Sequence, residues 1–168
     1  MVKNLLKACC MIAALTAVGQ AAAETYTVGS GGTYRPFEFE NSQKQLEGFD
    51  IDIIKAIAKA EGFDVKLVNT PWEGIFATLN TGDRDIIISG ITITDKRKQM
   101  VDFSAPYFPA EQSIVVAHDS QVYSLAALKN EKVGVVNSST GDIVVSEVLG
   151  KNSTAIKRFD NTPLMLQE

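Results

Sequence analysis

The sequence has very little cysteine and histidine, and this scarcity excludes several classes of protein. Its only cysteines, Cys9 and Cys10, fall within the first ten of 168 residues, so no disulfide can staple the rest of the chain. His118 is the sole histidine and has no cysteine or histidine partner beyond the first ten residues. The sequence therefore predicts no metal site, no cofactor and no Ser-His catalytic triad.

Basic clusters are also scarce. The chain has 16 lysines and arginines against 20 acidic residues, a net charge of −4, and its one dense basic run is Lys96 to Lys98. Phosphate backbones bind to surfaces that are much richer in cations. We therefore expect that the chain does not bind nucleic acid.

Long apolar runs are absent except at the start of the chain. Lys3 and Lys7 begin the sequence, Ala8 to Val18 is apolar, and Ala21 to Ala23 offers small residues for cleavage. This pattern predicts a secretory signal peptide over residues 1–23 and a periplasmic location, and the run is too short to span a membrane. Cys9 lies at the start of the apolar run instead of following it, which argues against a lipid anchor.

Apolar strand patterns alternate with helical patterns along the remaining chain, and this alternation predicts an α/β fold with parallel sheets. The β-branched and apolar runs predict buried strands. Asp50 is the predicted N-cap of the first helix. Strands are predicted over residues 26–28, 63–68, 86–89, 113–117, 132–136 and 155–159, and helices over residues 48–61, 72–80, 94–101, 124–129, 142–149 and from Thr162 onward.

A stiff connector divides this pattern, because Pro106 and Pro109 bracket Tyr107 and Phe108. It predicts a first lobe over residues 24–106, a hinge crossing over residues 107–111 and a second lobe over residues 112–168. Ligands of such sheets bind outside the carboxyl ends of the strands. Three loops follow strands in this way: Gly29 to Pro36, Gly90 to Arg97, and Asn137 to Gly141. Because they lie on both sides of the connector, we expect a site that the two lobes share.

The stretch DIIISGITITDKRK (residues 85–98) takes a buried strand directly into a cluster of charge. Gly90 allows close approach to the backbone, Thr92 offers a hydroxyl, and Thr94 is placed to cap a helix whose first turn carries Arg97. Free N–H groups and a guanidinium at one place predict a site for a carboxylate. The alternative is that Arg97 is a solvated surface residue between two lysines.

Four stretches resemble the extracellular solute-binding proteins of bacterial ABC importers for polar amino acids (family 3). They are GTYRPFEF, GFDIDIIKAIAKAEGF, WEGIFATLNTGDRDIIISG and GITITDKRKQMVDFSAPYF. The resemblance implies a periplasmic binding protein-like fold of type II, with two doubly wound α/β lobes joined by a hinge. It also implies that the chain is a monomeric receptor that binds a free amino acid and delivers it to an inner-membrane permease.

The resemblance assigns the ligand's α-carboxylate to Arg97 and surrounds it with seven further residues. These are the aromatic walls Tyr34 and Trp72, the polar and backbone groups of Gly90 and Thr92, and the second-lobe residues Ser139, Thr140 and Gly141.

Two departures from the family pattern matter. Gly31 stands where many members carry an acid that contacts polar side chains, so the ligand's own side chain stays open among glutamine-like, cystine-like and basic amino acids. The chain also ends at Glu168, before the elements that complete both lobes in the family. We therefore expect a truncated form with an incomplete second lobe, and it stays open whether another chain supplies the rest.

Two other functions stay open as well. Relatives with this architecture include dehydratases of cyclic carboxylates, which need an acid–base residue in the cleft. Glu38 and Glu73 are the carboxylates nearest to the predicted loops, and neither has an obvious partner. The remaining alternative is an inactive fragment. No catalytic residue is predicted.

Overall fold

The computed structural model describes residues 23–168, so the predicted signal peptide lies outside the described residues except for Ala23. The strands are β1 Thr25–Ser30, β2 Thr33–Tyr34, β3 Glu38–Glu40, β4 Leu46–Glu47, β5 Asp64–Asn69, β6 Ile86–Ile87, β7 Val133–Val136 and β8 Ile156–Phe159. The helices are α1 Phe49–Glu61, α2 Ile75–Asn80, α3 Asp95–Lys98, α4 Thr140–Leu149, α5 Thr162–Gln167 and a 3₁₀ helix over Leu125–Asn130. Within residues 23–168 no helix has the length and apolar character needed to cross a membrane.

The first part of the chain is built on a parallel sheet in the order β5-β1-β6. Val28 of β1 is fully buried and packs with Ile54 of α1 and Ile88 after β6. A small antiparallel sheet of β2, β3 and β4 leads into α1. The β-branched runs fill this core because strands of a parallel sheet are covered by helices.

The second part has its own core, which lies after the proline-bracketed connector. Strands β7 and β8 pair in parallel, and Val135 and Ile156 pack against Val145 of α4 and Leu128 of the 3₁₀ helix. The predicted α/β alternation is confirmed on both sides of the connector. The exact lobe boundaries stay a prediction.

The prediction that Asp50 caps α1 is wrong. The helix begins at Phe49, with Gly48 in the N-cap position at a φ of 126°, and no side chain caps it. A Cβ at residue 48 would overlap the carbonyl of Phe37, so only glycine fits this entry into the helix. Asp50 lies one residue inside the helix and is fully buried.

The prediction of a strand over residues 113–117 is also wrong. The segment has no regular structure, and Val115 is 80% exposed. A strand is stabilised by its neighbour's hydrogen bonds, and none of the described strands pairs with this segment. Two helix starts also differ: α2 begins at Ile75 and leaves Trp72 in the preceding turn, and Asn161 rather than Thr162 caps α5.

Candidate functional site

Arg97 lies at the rim of the parallel sheet and is buried, with 6% of its surface exposed. The Thr94 side chain accepts a hydrogen bond of 3.2 Å from the Arg97 N–H and thereby caps α3, as the sequence predicts. The guanidinium donates to the carbonyl of Thr92 at 2.9 Å and to the carbonyl of Ser138 at 3.4 Å. Arg97 is therefore held in place by backbone groups from both sides of the connector.

The charge of Arg97 has no counterion in the described part of the chain. The ion pairs between residues 23 and 168 join Lys44 to Glu40, Lys98 to Asp95, and Arg158 to Asp142. Burial lowers the pKa of Arg97, since desolvation disfavours the charged form. A buried cation without a counterion is costly, and an anionic ligand at this place would offset that cost.

Two aromatic rings flank the guanidinium. The Arg97 Cζ atom lies 5.2 Å from the centre of the Trp72 ring and 5.3 Å from that of Phe76, within the range of cation–π contact. Trp72 Nε1 also donates to the carbonyl of Asn137 at 2.9 Å. Phe76 was not predicted from the sequence. It lies four residues after Trp72, but Trp72 precedes α2, so helical spacing does not relate the two rings. A cleft of about 160 Å³ opens beside these rings, lined by Trp72, Glu73, Gly74, Phe76, Asn137, Ser138 and Asp160.

Two hydroxyls where the loop before α4 meets the helix both accept hydrogen bonds within the chain. The Ser139 hydroxyl accepts from the Asp142 N–H, and the Thr140 hydroxyl accepts from Gln112 at 3.1 Å. The N–H groups of Thr140 and Gly141 donate to no described group, since they begin the helix. Ser139, Thr140 and Gly141 thus share one helix start, where the free amides favour negative charge.

Gly90 and Tyr34 form the other side of the predicted site. Gly90 has a φ of 54°, and the Tyr34 ring lies 3.1 Å from where a Cβ would be, so the ring covers the glycine backbone. The Gly90 N–H donates to Asp50 Oδ2 at 2.6 Å, which leaves the carbonyl of Gly90 as the group available to a ligand. Tyr34 itself stacks on Phe37, with ring centres 5.4 Å apart.

The structure brings Arg97, Thr92, Trp72 and the loop before α4 into one cluster, and it places Tyr34 on Gly90. It adds Phe76 and the Ser138 carbonyl, which the sequence did not indicate. Ser138 has a φ of 57°, and no sequence signal marks a serine for this conformation. The roles of the eight predicted residues toward a ligand stay predictions.

Comparison with known proteins gives consistent matches over most of the chain. The sequence profile of the bacterial extracellular solute-binding proteins, family 3, matches residues 26–163. A probable histidine-binding protein of Neisseria gonorrhoeae is 45% identical over 146 residues, which cover 86% of this chain and 54% of that protein. The chain thus spans about half the length of this relative.

Solved structures show the same architecture. The arginine-, lysine-, histidine-binding protein ArtJ of Geobacillus stearothermophilus aligns with a TM-score of 0.81 at 39% identity, over 86% of this chain and 62% of that one. The ancestral amino acid-binding protein AncCDT-1, a precursor of cyclohexadienyl dehydratase, aligns with a TM-score of 0.79 at 41% identity, over 85% and 64%. These matches confirm the type II fold with part of it absent from this chain. The chain belongs to family 3 of the bacterial extracellular solute-binding proteins.

Proposed function

We propose that the chain binds a free amino acid, with the guanidinium of Arg97 on the ligand's α-carboxylate. The observation that carries this proposal is a buried arginine that has no counterion in residues 23–168 and is held by the Thr92 and Ser138 carbonyls. Its planar fork suits a carboxylate, which accepts two parallel hydrogen bonds. The free N–H groups that begin α4 supply further donors for the same anion.

The lining of the cleft favours a ligand with a basic side chain. Glu73 and Asp160 line the cleft together with the rings of Trp72 and Phe76. Aromatic faces and carboxylates both attract cations. The two relatives named as a probable histidine-binding protein and an arginine-, lysine-, histidine-binding protein point to the same class of ligand. Arginine and histidine are therefore the first ligands to test, although Gly31 lacks the acid that many family members carry.

We also propose the two-lobe organisation, with the division at residues 107–111. Among residues 23–168, two hydrogen bonds cross it: Trp72 to Asn137 and Arg97 to Ser138. A ligand between these segments would hold the lobes closed, and the closed form would be presented to the permease of an ABC importer in the periplasm. The working unit in this proposal is a monomer.

A dehydratase activity has weaker support. Glu38, one of the two carboxylates considered for it, is buried behind Gly90 and bonded to Ser89, away from the cleft. Glu73 does line the cleft, and one structural relative is described as a precursor of cyclohexadienyl dehydratase. Release of an aromatic product from a cyclic dienyl carboxylate, followed by ultraviolet absorbance, would support this alternative over simple binding.

A fluorescence titration tests the proposed function. Trp72 is the only tryptophan of the chain and touches Arg97, so its emission reports on the site alone. Arginine, histidine, lysine, glutamine and cystine are added in turn to the purified chain. We expect saturable changes, with arginine or histidine binding more tightly than glutamine. If calorimetry and fluorescence both show no binding by a folded chain, amino-acid recognition by this chain is wrong.

A further inference from the structure

A pair of buried carboxyl groups lies beside the loop from Gly90 to Arg97, called the ligand loop below, and does not line the cleft. Glu38 of β3 is 2% exposed, and Asp50 of α1 is fully buried. Neither residue belongs to an ion pair within residues 23–168. Two acids without a counterion in a protein interior need a specific arrangement of protons and donors.

Asp50 connects two segments that the proposed function uses. Its Oδ2 atom accepts the N–H of Gly90 at 2.6 Å, in the loop that leads to Arg97. Its Oδ1 atom accepts the hydroxyl of Tyr107 at 3.0 Å, in the proline-bracketed connector. One carboxyl group therefore fixes the ligand loop and the connector at the same time.

Glu38 is satisfied at one oxygen only. Its Oε1 atom accepts the hydroxyl of Ser89 at 2.7 Å, and Ser89 Oγ in turn accepts the N–H of Gly31 at 3.0 Å. Its Oε2 atom is buried and receives no hydrogen bond from any described group. Asp50 and Glu38 are neighbours, because they bond to the consecutive residues Ser89 and Gly90, and because the Asp50 N–H donates to the carbonyl of Phe37, the residue before Glu38. Two carboxyl groups can bond to each other only if one of them carries a proton, so a protonated Glu38 satisfies the last oxygen.

The electrostatic surroundings agree with this protonation. Burial is the main cause that raises the pKa of Glu38 to about 8. The negative charge of Asp50 also raises this pKa, whereas the hydrogen bond from Ser89 lowers it. Burial also raises the pKa of Asp50, although the hydrogen bonds from Gly90 and Tyr107 lower it. The titratable groups that face the pair are Tyr107 and the two acids themselves. No lysine or arginine of the described chain contributes to either shift.

We propose that Glu38 and Asp50 share one proton, and that this proton holds the Gly90 loop and the Tyr107 connector in the arrangement seen here. Both acids are positioning residues that act through Gly90 and Tyr107. Loss of the proton leaves two adjacent buried anions, whose repulsion separates Asp50 from at least one of its two partners. That this change also weakens amino-acid binding rests on the proposed function.

The proton is tested without any ligand. The amide resonance of Gly90 and the ring resonances of Tyr107 are followed by NMR from about pH 6 to about pH 10, on either side of the raised pKa. We expect both to change together through one transition in the wild-type chain. Glu38→Gln keeps a neutral side chain at every pH, so its resonances should stay constant. Glu40→Gln, on the same strand, should titrate as the wild type does.

Thermal unfolding gives a second readout. The folded pKa of Glu38 lies above its ordinary value of 4.5, so the folded chain binds more protons than the unfolded chain between pH 4.5 and about 8. The free energy of unfolding should therefore fall as the pH rises through this window, and this slope should be reduced in Glu38→Gln. If Glu38→Gln does not fold, the wild-type titration alone decides. A wild-type chain whose Gly90 and Tyr107 resonances show no common transition overturns the proposal.

The effect on binding is measured separately by calorimetry with arginine. We expect the wild-type affinity to fall by about tenfold as the pH rises through the transition, and the affinity of Glu38→Gln to stay within about twofold. Equal pH dependence in the two chains overturns the positioning role. If no amino acid binds at any pH, the proposed function fails, whereas the NMR transition still decides whether Glu38 and Asp50 hold Gly90 and Tyr107 through one proton.

Discussion

At the scale of single residues, Arg97 gives the candidate site its positive charge. Its backbone N–H is fixed by Thr94 and its guanidinium by two carbonyls, so the side chain is ordered before a ligand arrives. Ordering a long side chain in advance lowers the entropy cost of binding. The remaining N–H donors are directed by the same fork geometry, which lysine lacks.

The substitution Arg97→Lys should therefore remove most of the amino-acid affinity while the charge is kept. Each charge-assisted hydrogen bond contributes about 1.5–3 kcal/mol, so the loss of one bond should weaken binding by about 10- to 150-fold. Calorimetry with arginine measures the effect. The control is Arg84→Lys, since Arg84 bonds to Thr70 and Asp83 outside the cleft. Equal affinities for Arg97→Lys and the wild type would exclude a bidentate carboxylate contact.

The sequence predicted the Thr94 cap from a local signal, the Thr-x-x-Arg spacing after a strand end, and the structure confirms this cap. The assignment of Arg97 to a carboxylate came from the family resemblance and stays a prediction. The sequence did not predict Phe76 or the Ser138 carbonyl, because these meet Arg97 only through tertiary packing. The same limit applies to Asp50. An acid at a helix start favours capping on average, but Gly48 and the Phe37 carbonyl fix the helix entry here, so Asp50 turns inward to Gly90 and Tyr107.

At the scale of elements, helix α4 is anchored by one acid. Asp142 accepts from Arg158 of β8, from the N–H of Ser138 and from the hydroxyl of Ser146. Burial opposes ionisation, but these bonds prevail and lower the pKa of Asp142. The acid thus joins the helix, the neighbouring strand and the loop that contacts Arg97.

Replacement of Asp142 by asparagine should lower the free energy of unfolding at pH 7 by about 1–3 kcal/mol, because hydrogen bonds to a charged group are lost. A lowered pKa means that this stabilisation is present above the ordinary value of 3.8 and is lost as the pH falls through the folded pKa. Urea unfolding should show that the wild type and Asp142→Asn differ less in their free energy of unfolding at strongly acidic pH than at neutral pH. Asp95→Asn, in an exposed pair, should change little at either pH. A difference that persists unchanged in acid would contradict the charge argument.

The failed strand prediction belongs to the same scale. Residues 113–117 have the β-branched composition of a strand, yet a strand forms only beside a partner, and the described sheets offer none to this segment. Helix α1 was predicted well because its amphipathic pattern and the terminal Gly62 are local properties. The local pattern of α1 is therefore enough to predict a helix, whereas the composition of residues 113–117 favours a strand only where a partner strand is present.

At the scale of the whole molecule, the two cores are joined at the site as well as through the connector. Trp72 belongs to the first core's side and bonds to Asn137 on the second, beside the bond from Arg97 to Ser138. In the proposed function, ligand binding and the approach of the two parts would be one event, since the same residues would serve both. Any group that strengthens this junction should slow the release of the ligand.

The indole N–H of Trp72 is such a group, and Trp72→Phe removes it while keeping an aromatic wall. One neutral hydrogen bond contributes about 0.5–1.5 kcal/mol, so arginine should bind about 2- to 12-fold more weakly, mainly through faster dissociation. Because Trp72 is only half-buried, the free energy of unfolding should change little. Calorimetry and dissociation kinetics by surface plasmon resonance measure the two effects, and neither depends on tryptophan emission. Unchanged dissociation in this variant would show that the Asn137 contact does not help to hold the two parts around a ligand.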